Sequence, residues 1–350
     1  MNPMHGVPET LLGLVSHYSP SGQEDAAVSF LIQRMKALGF SQAFRDAAGN
    51  AVGIIGDGPL QIVLLGHIDT VPGEISIRLE DGLLYGRGTV DAKGPLAAFV
   101  DAVAALGPQP GWQVVVIGAV GEESDSRGAR HVVDQYRPEM VIIGEPSAWE
   151  RITLGYKGSI VLRVAVQRQM QHSANHQQTA CERAVQIWQR TQDWAASYNA
   201  QHERSFDQVQ PSLLNWSSAT DGFVNQAFLQ IGTRLPPGLS PDDWLIKMKE
   251  LAGEEGVNQS GDAIPAWRCE KNTPLVRAFL AAIRAAGGKP GFVVKTGTAD
   301  MNIVAPAWQC PALAYGPGDS SLDHTPGEHL SLHEYEQAVN VLVRSLKHLI

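Results

Sequence analysis

Three near-continuous apolar runs constrain this chain more than any other feature: QIVLLG from Gln61, WQVVVIGAV from Trp112 and MVIIGEP from Met140. A strand with one wet face alternates apolar and polar residues. These runs do not alternate, so they predict strands buried on both faces, as in a parallel sheet covered by helices. A helix is expected from Leu96 to Leu106, between the first two runs, and another around Gly128 to Tyr136, between the second and third. That alternation reads as an α/β domain. AVGIIG is a further strand candidate. Two short helices open the chain, the second with Ala27, Phe30, Leu31, Met35 and Leu38 at helical spacing.

After Glu145 the pattern changes. RITLGYKGSIVLRVAV reads as an alternating strand pair, followed by a polar stretch rich in Gln and His, a helix from about Ala180 to Tyr198, the strand FVNQAFLQIGTRLPPG and the helix SPDDWLIKMKELAG. Ser240 and Pro241 are start signals for that helix. The return to amphipathic helices at NTPLVRAFLAAIRAAGG and SLHEYEQAVNVLVRSLKHL predicts that the first domain resumes. The expected architecture is an α/β domain of residues 1–157 plus 267–350, interrupted by a smaller α+β unit of residues 158–266. A length of 350 residues is ample for two domains.

Several function classes find no support. The net charge is −9, which offers nothing to a nucleic acid. No apolar run is long enough to span a bilayer. The N-terminus lacks the basic start of a signal peptide, the first Lys or Arg being Arg34. Cys181, Cys269 and Cys310 are far apart and odd in number, so neither a disulfide framework nor a CxxC zinc site follows. A cytoplasmic enzyme or binding protein is expected.

The polar residues of interest fall where the strands end. LLGHIDTVPG places His67 and Asp69 past one strand, GAVGEESDSRG places Glu122 and Glu123 past another, and IIGEPS places Glu145 past a third. Sites in open α/β sheets form beyond the carboxyl ends of the strands. Asp91 lies in the glycine-rich connection YGRGTVDAKGP, and DSSLDHTPGEH adds His324, Glu328 and His329. Imidazoles and carboxylates from separate strand ends suit a hydrolytic metal site. A two-metal site needs a bridging carboxylate, and a loop rich in glycine lets Asp91 approach closely. Asp69 is placed to accept the other ring N–H of His67. Taken singly, each group has a plainer reading, as a solvated turn or a helix cap. GRGTVDAKG fits neither GxGxxG nor GxxxxGK[ST], so the loop is not a nucleotide fingerprint. KTG at Lys295 has no upstream SxxK, and GDSS at Gly318 is not a GxSxG elbow.

In their order, GHIDTVPG, GRGTVDAKGP, GEES, GEPS and LDHTPGEH resemble the motifs of the di-zinc amidohydrolases: aminoacylases, acetylornithine deacetylases and succinyl-diaminopimelate desuccinylases. The resemblance covers nearly the whole chain. It implies a zinc-exopeptidase-like catalytic domain and a ferredoxin-like lid and dimerisation domain. It implies two divalent ions, zinc or cobalt, one held by His67, Asp91 and Glu145 and the other by Asp91, Glu123 and His324. Glu122 is then the general base and Asp69 orients His67. The neighbours Glu122 and Glu123 would diverge if they lie in an extended segment. A cis peptide is implied after Asp91. His172, in QMQHSANH, aligns with the histidine that stabilises the oxyanion, although Arg168 stands at the family's glycine position; His176 is a rival. Arg234 aligns with an arginine that meets a substrate carboxylate, with Gly232 in place of the usual acid, and Asn225 is read as lining that pocket. KTGTADMNIVAP and YGPGDSSLDHTPGEHLSL resemble one subgroup, which releases lysine or ornithine from the C-terminal glutamate of a LysW-like amino-group carrier protein. An N-acetylornithine or N-acetyl-lysine deacetylase, and a metal-free binding relative, are the alternatives. Asp300 and Glu328 are candidate partners for a substrate ammonium. A homodimer is implied.

Overall fold

The computed structural model describes residues 4–172 and 177–350. They fall into two compact units. One comprises the residues up to Gly155 with Cys269–Val294 and Ala299–Ile350, and the other comprises Tyr156–Arg268 with Lys295–Thr298.

In the first unit, strands run across one mixed sheet in the order Gln42–Arg45, Ala51–Ile55, Trp112–Ala119, Leu60–His67, Met140–Gly144 and Ala312–Ala314. The last four are parallel to one another. The three apolar runs are the inner strands among them, and from Val114, Ile62 and Val141 onward their residues are buried on both faces. AVGIIG is also a strand, but it runs antiparallel to Trp112–Ala119. Burial on both faces therefore fixed its place in the sheet without fixing its direction.

The helix Lys93–Leu106 is packed onto this sheet at a row of glycines. Gly66 is level with Gly118 on one side and with Gly144 on the other. A Cβ at Gly66 would lie 3.3 Å from Leu96, one at Gly118 would lie 3.1 Å from Leu96, and one at Gly144 would lie 2.9 Å from Phe99. Side chains here would lift the helix off the sheet. The glycine row comes just before the strand ends, and Asp91 comes just before the helix. Close packing at that row thus sets the loop of Asp91 above the strand ends.

Two local departures from the sequence reading have physical causes. The helix expected around Gly128–Tyr136 is Arg127–Val132. A longer helix would use the Val133 carbonyl for its own ladder, but the side chains of Arg137 (2.7 Å) and Trp308 (3.1 Å) take it. A small antiparallel sheet of Arg78–Glu80, Leu83–Tyr85 and His329–Ser331 also forms, from strands too short to show a period.

The second unit has four antiparallel strands in the order Gln210–Thr220, Val224–Leu235, Gly158–Gln169 and Gly256–Gln259. With the helices Ala180–Asn199 and Pro241–Ala252 in their chain positions, this is a β-α-β-β-α-β unit of the ferredoxin-like kind. Thr179 and Glu182 form a capping box on the first helix. Trp244 is fully buried and donates its indole N–H to Thr233 at 3.0 Å. Trp188 and Trp194 pack against the same core, whereas Trp216 lies exposed on the edge strand. That edge strand escaped the sequence reading because most of it is exposed and its pattern does not alternate.

Candidate metal centre

His67 is the last residue of its strand, and Asp69 follows two residues later. The Nδ1 of His67 lies 3.0 Å from the main-chain carbonyl of Asp69 and 3.7 Å from its carboxylate. The backbone of Asp69 thus orients the imidazole, where the sequence had assigned that task to its side chain. The carboxylate is occupied elsewhere. It accepts the backbone N–H groups of Glu122 at 3.0 Å and Glu123 at 3.1 Å, and the hydroxyl of Ser21 at 2.6 Å. Asp69 is fully buried. Glu122 and Glu123 lie in a turn rather than an extended segment, with Gly121 accepting from the N–H groups of Ser124, Asp125 and Ser126.

The loop of Asp91 is tight. Gly88 has φ +87° and its carbonyl accepts from Lys93 at 2.9 Å. A Cβ at Gly94 would lie 2.2 Å from the Thr89 carbonyl. The Asp91–Ala92 peptide is cis. Lys93 is fully buried and donates to the carbonyl of His17 at 2.7 Å, so it braces the loop from below.

Burial lowers the Lys93 pKa to about 7, against the pull of Glu328 and Asp69. An unfolded lysine titrates near 10.4. Between about pH 7 and 10 the unfolded chain therefore holds a proton that the folded chain lacks, and folding stability rises with pH across that window. Lys93→Met is expected to remove this contribution. Urea unfolding at pH 7 and 9.5 should show wild type gaining about 2–3 kcal/mol relative to the variant. Parallel pH dependence in the two proteins would show that Lys93 does not titrate this way.

The side chains converge on Asp91. Its Oδ1 lies 3.1 Å from His67 Nε2, and its Oδ2 lies 3.0 Å from His324 Nε2. His67 Nε2 is 4.0 Å from Glu145, and His324 Nε2 is 2.9 Å from Glu123. Ligand atoms of His67, Asp91 and Glu123 all lie within 4.8 Å of one another. His329, by contrast, packs against Tyr85 with the rings tilted and their centroids 4.8 Å apart, and its Nδ1 lies 2.7 Å from the Gly327 carbonyl.

The electrostatics follow from this crowding. Burial would lower the His67 pKa, but Asp91, Glu122 and Asp69 hold it well above its ordinary value. His324 is raised to about 10, chiefly by its hydrogen bonds to Asp91 and Glu123. Burial works to raise Asp91, yet the two imidazoles hold it well below the usual carboxylate range. Glu122 is pushed well above an ordinary glutamate by burial and by Glu145, Asp300 and Glu123, against His67.

This donor set fits divalent cations. Ion–donor distances of about 2.0–2.2 Å place neighbouring tetrahedral donors roughly 3.4 Å apart. The contacts to the two imidazoles run from 2.9 to 4.0 Å. The pairs also divide into two groups sharing Asp91, and the acids beside the two imidazoles supply the negative charge that divalent cations would balance.

Of the two acids expected to meet a substrate ammonium, Glu328 changes role. Glu328 is fully buried and pairs with Arg87 at 2.8 Å. Asp300 is 2% exposed, hydrogen-bonds Ser126, and is raised to about 7 by burial. Both oxygens of Glu328 are therefore engaged, whereas the Oδ1 of Asp300 is buried without a hydrogen-bond partner among the described residues.

In the smaller unit, Asn225 and Arg234 share the strand Val224–Leu235. Nine residues of extended chain separate them by about 30 Å, so within one chain they do not line one pocket. Asn225 pairs with Arg168, near the strand end from which the chain runs on to His172, which is exposed. Arg234, at the other end, is exposed and donates to Thr298 at 3.2 Å. His176 lies outside the described residues.

The family model for peptidase family M20/M25/M40 matches residues 63–348. The chain belongs to this family. It is 45% identical to the [LysW]-lysine hydrolase of Deinococcus radiodurans, an alignment that covers 98% of this chain and 96% of that protein. It is 39% identical to a putative [LysW]-lysine/[LysW]-ornithine hydrolase of Thermococcus kodakarensis, covering 97% of this chain and 91% of that one. Among solved structures, an M20 metallo-carboxypeptidase from Sulfolobus solfataricus is similar with a TM-score of 0.77 at 17% identity, covering 98% of this chain and 100% of that one. A dinuclear metal-binding M20 peptidase from Bacillus subtilis is similar with a TM-score of 0.73 at 13% identity, covering 96% and 95%. These last two likenesses establish the shared fold. No helix among the described residues is long and apolar enough to cross a membrane.

Proposed function

We propose that the chain is a metal-dependent amide hydrolase that releases lysine or ornithine from the C-terminal glutamate of a LysW-like carrier protein, as the last step of lysine biosynthesis. The observation that carries the chemistry is Asp91, whose two oxygens face two separate His-carboxylate groups. The near-full-length similarity to carrier-lysine hydrolases supports the substrate.

His67, Asp91 and Glu145 would hold one ion, and Asp91, Glu123 and His324 the other, with zinc or cobalt suited to the donors. When bound, the ions would polarise the scissile carbonyl and lower the pKa of the attacking water. Glu122 accepts a proton from that water on a carboxylate oxygen as the new C–O bond forms. It then gives the proton to the departing α-nitrogen as the C–N bond breaks. The carrier regains its glutamate carboxylate, and the amino acid leaves with a free amine. Asp69 acts on both parts at once. Its carbonyl sets His67, and its carboxylate sets the turn that carries Glu122 and Glu123.

The smaller unit would serve as a lid and dimerisation module in a cytoplasmic homodimer. Arg234 would bind the substrate carboxylate, while His172 would stabilise the oxyanion. The separation of about 30 Å along one strand supports a division of labour in which His172 and Asn225 complete the site of a second copy.

Purified enzyme loaded with zinc or cobalt should turn over the carrier–lysine conjugate at least about tenfold faster, in kcat/KM, than N-acetylornithine, a difference of about 1.4 kcal/mol in barrier. Faster turnover of N-acetylornithine would make the chain a plain deacetylase. Less than one equivalent of bound metal, with no gain on reconstitution, would make it a metal-free binding relative.

A further inference from the structure

We propose that Glu328, paired with Arg87, is a positioning residue that ties the loop of Asp91 to the loop of His324, so that the two ligands present their donor atoms together. The inference rests on the metal-ligand reading of those two residues.

Glu328 follows His324 by four positions and is fully buried. Its Oε1 accepts the backbone N–H groups of Val90 at 2.9 Å and Asp91 at 3.1 Å. Its Oε2 accepts from Arg87 at 2.8 Å. Arg87, itself 7% exposed, donates to the carbonyls of Gly73 at 2.9 Å and Thr325 at 3.3 Å. Gly86 donates its N–H to the Glu328 carbonyl at 3.3 Å, and His329 pairs with Tyr85 across the small sheet. Two segments more than 230 residues apart are thus joined by side chains and backbone on both sides.

A buried ion pair is weak evidence for stability, because well-packed apolar residues often do as well. Simple packing therefore does not account for a carboxylate here. Its distinctive property is the acceptance of consecutive N–H groups at the peptide that carries Asp91. Asp69 uses the same device on Glu122 and Glu123. Each of these two buried acids thus holds the backbone of a ligand-bearing loop, and both leave the side chains above free to face a cation. At the Glu328 end the bond to Thr325 extends the hold to the residue after His324, whose backbone is left-handed at φ +61°. A change at Glu328 should therefore reach Asp91 and His324 together. Outer contacts of this kind alter metal affinity by about 10–100-fold when removed.

The test is titration of metal-stripped protein with Co²⁺, followed by visible absorption, together with chelator competition. Glu328→Gln should weaken retention of both ions at least about tenfold and change the Co²⁺ spectrum. Arg87→Lys keeps a cation beside Glu328 but loses the planar fork, and should fall between wild type and Glu328→Gln. Retention within twofold of wild type with an unchanged spectrum, even beside a lowered Tm, would reduce Glu328 to a structural acid and overturn the proposal. Loss of one ion alone would overturn the coupling of the two loops. If Glu328→Gln does not fold, Arg87→Lys decides by the same readings. Wild-type protein that takes up Co²⁺ but does not hydrolyse the carrier conjugate would fail the functional reading alone.

Discussion

Asp91→Ala should empty both metal positions at once and lower kcat/KM by on the order of 10⁴-fold or more, since both the activated water and the polarised carbonyl depend on the ions. The expectation follows from the two carboxylate oxygens. Oδ1 faces His67 at 3.1 Å and Oδ2 faces His324 at 3.0 Å, so one side chain belongs to both donor groups. Glu145 and Glu123 do not share that property. Glu145 lies beside His67, at 4.0 Å, and Glu123 beside His324, at 2.9 Å. Glu145→Ala and Glu123→Ala should therefore each release one ion preferentially. Metal content after dialysis against metal-free buffer separates the cases. An Asp91→Ala protein that keeps one full equivalent would show that Asp91 belongs to a single site. The bracing around the loop should survive the substitution: the Lys93 bond to His17 and the Glu328 bonds to Val90 and Asp91 do not involve the Asp91 side chain. A circular dichroism spectrum and Tm matching those of metal-stripped wild type would confirm that only the ions have gone.

The fold was legible because burial on both faces leaves a plain record. Continuous apolar runs ending in His67, Glu122 and Glu145 imply inner strands that deliver polar groups to one edge, and the parallel core carries those runs. The same signal was silent on direction, so the antiparallel course of Ala51–Ile55 was not readable. It also failed at the exposed edge strand Gln210–Thr220, where little side-chain burial imposes a pattern. In the site, ionisable side chains could be found from their positions, but their hydrogen-bond partners could not. Asp69 holds His67 through a main-chain carbonyl that every residue possesses, and no residue type marks such a role. Glu328 looked like a group for a substrate ammonium because an acid near a ligand motif has many uses, and only the fold brings Val90 and Asp91 to it. Asn225 was placed in the pocket of Arg234 by resemblance, which carries no distance; the rise of the strand they share separates them by about 30 Å within one chain.

Glu122→Gln is expected to lower kcat by about 10³–10⁴-fold while leaving the metal content of the protein unchanged. Glutamine keeps the shape of the side chain and leaves untouched the backbone N–H that Asp69 accepts at 3.0 Å, so the turn should hold. Its amide cannot take a proton from the attacking water. Glu123, one residue away, is the informative control: its Oε1 lies 2.9 Å from His324, so Glu123→Gln should weaken metal retention as well as turnover. Two adjacent acids thus give two different signatures, one in chemistry and one in binding. The environment of Glu122 suits the role. Burial and the surrounding carboxylates raise its pKa well above that of an ordinary glutamate, and bound divalent cations would lower it again, so that the ionised group takes a proton from water and, once protonated, passes it to the leaving amine. The expected split is therefore a large fall in kcat, with KM and bound metal close to wild type. A Glu122→Gln enzyme that retains its metals and turns over within tenfold of wild type would place the proton transfer on another residue.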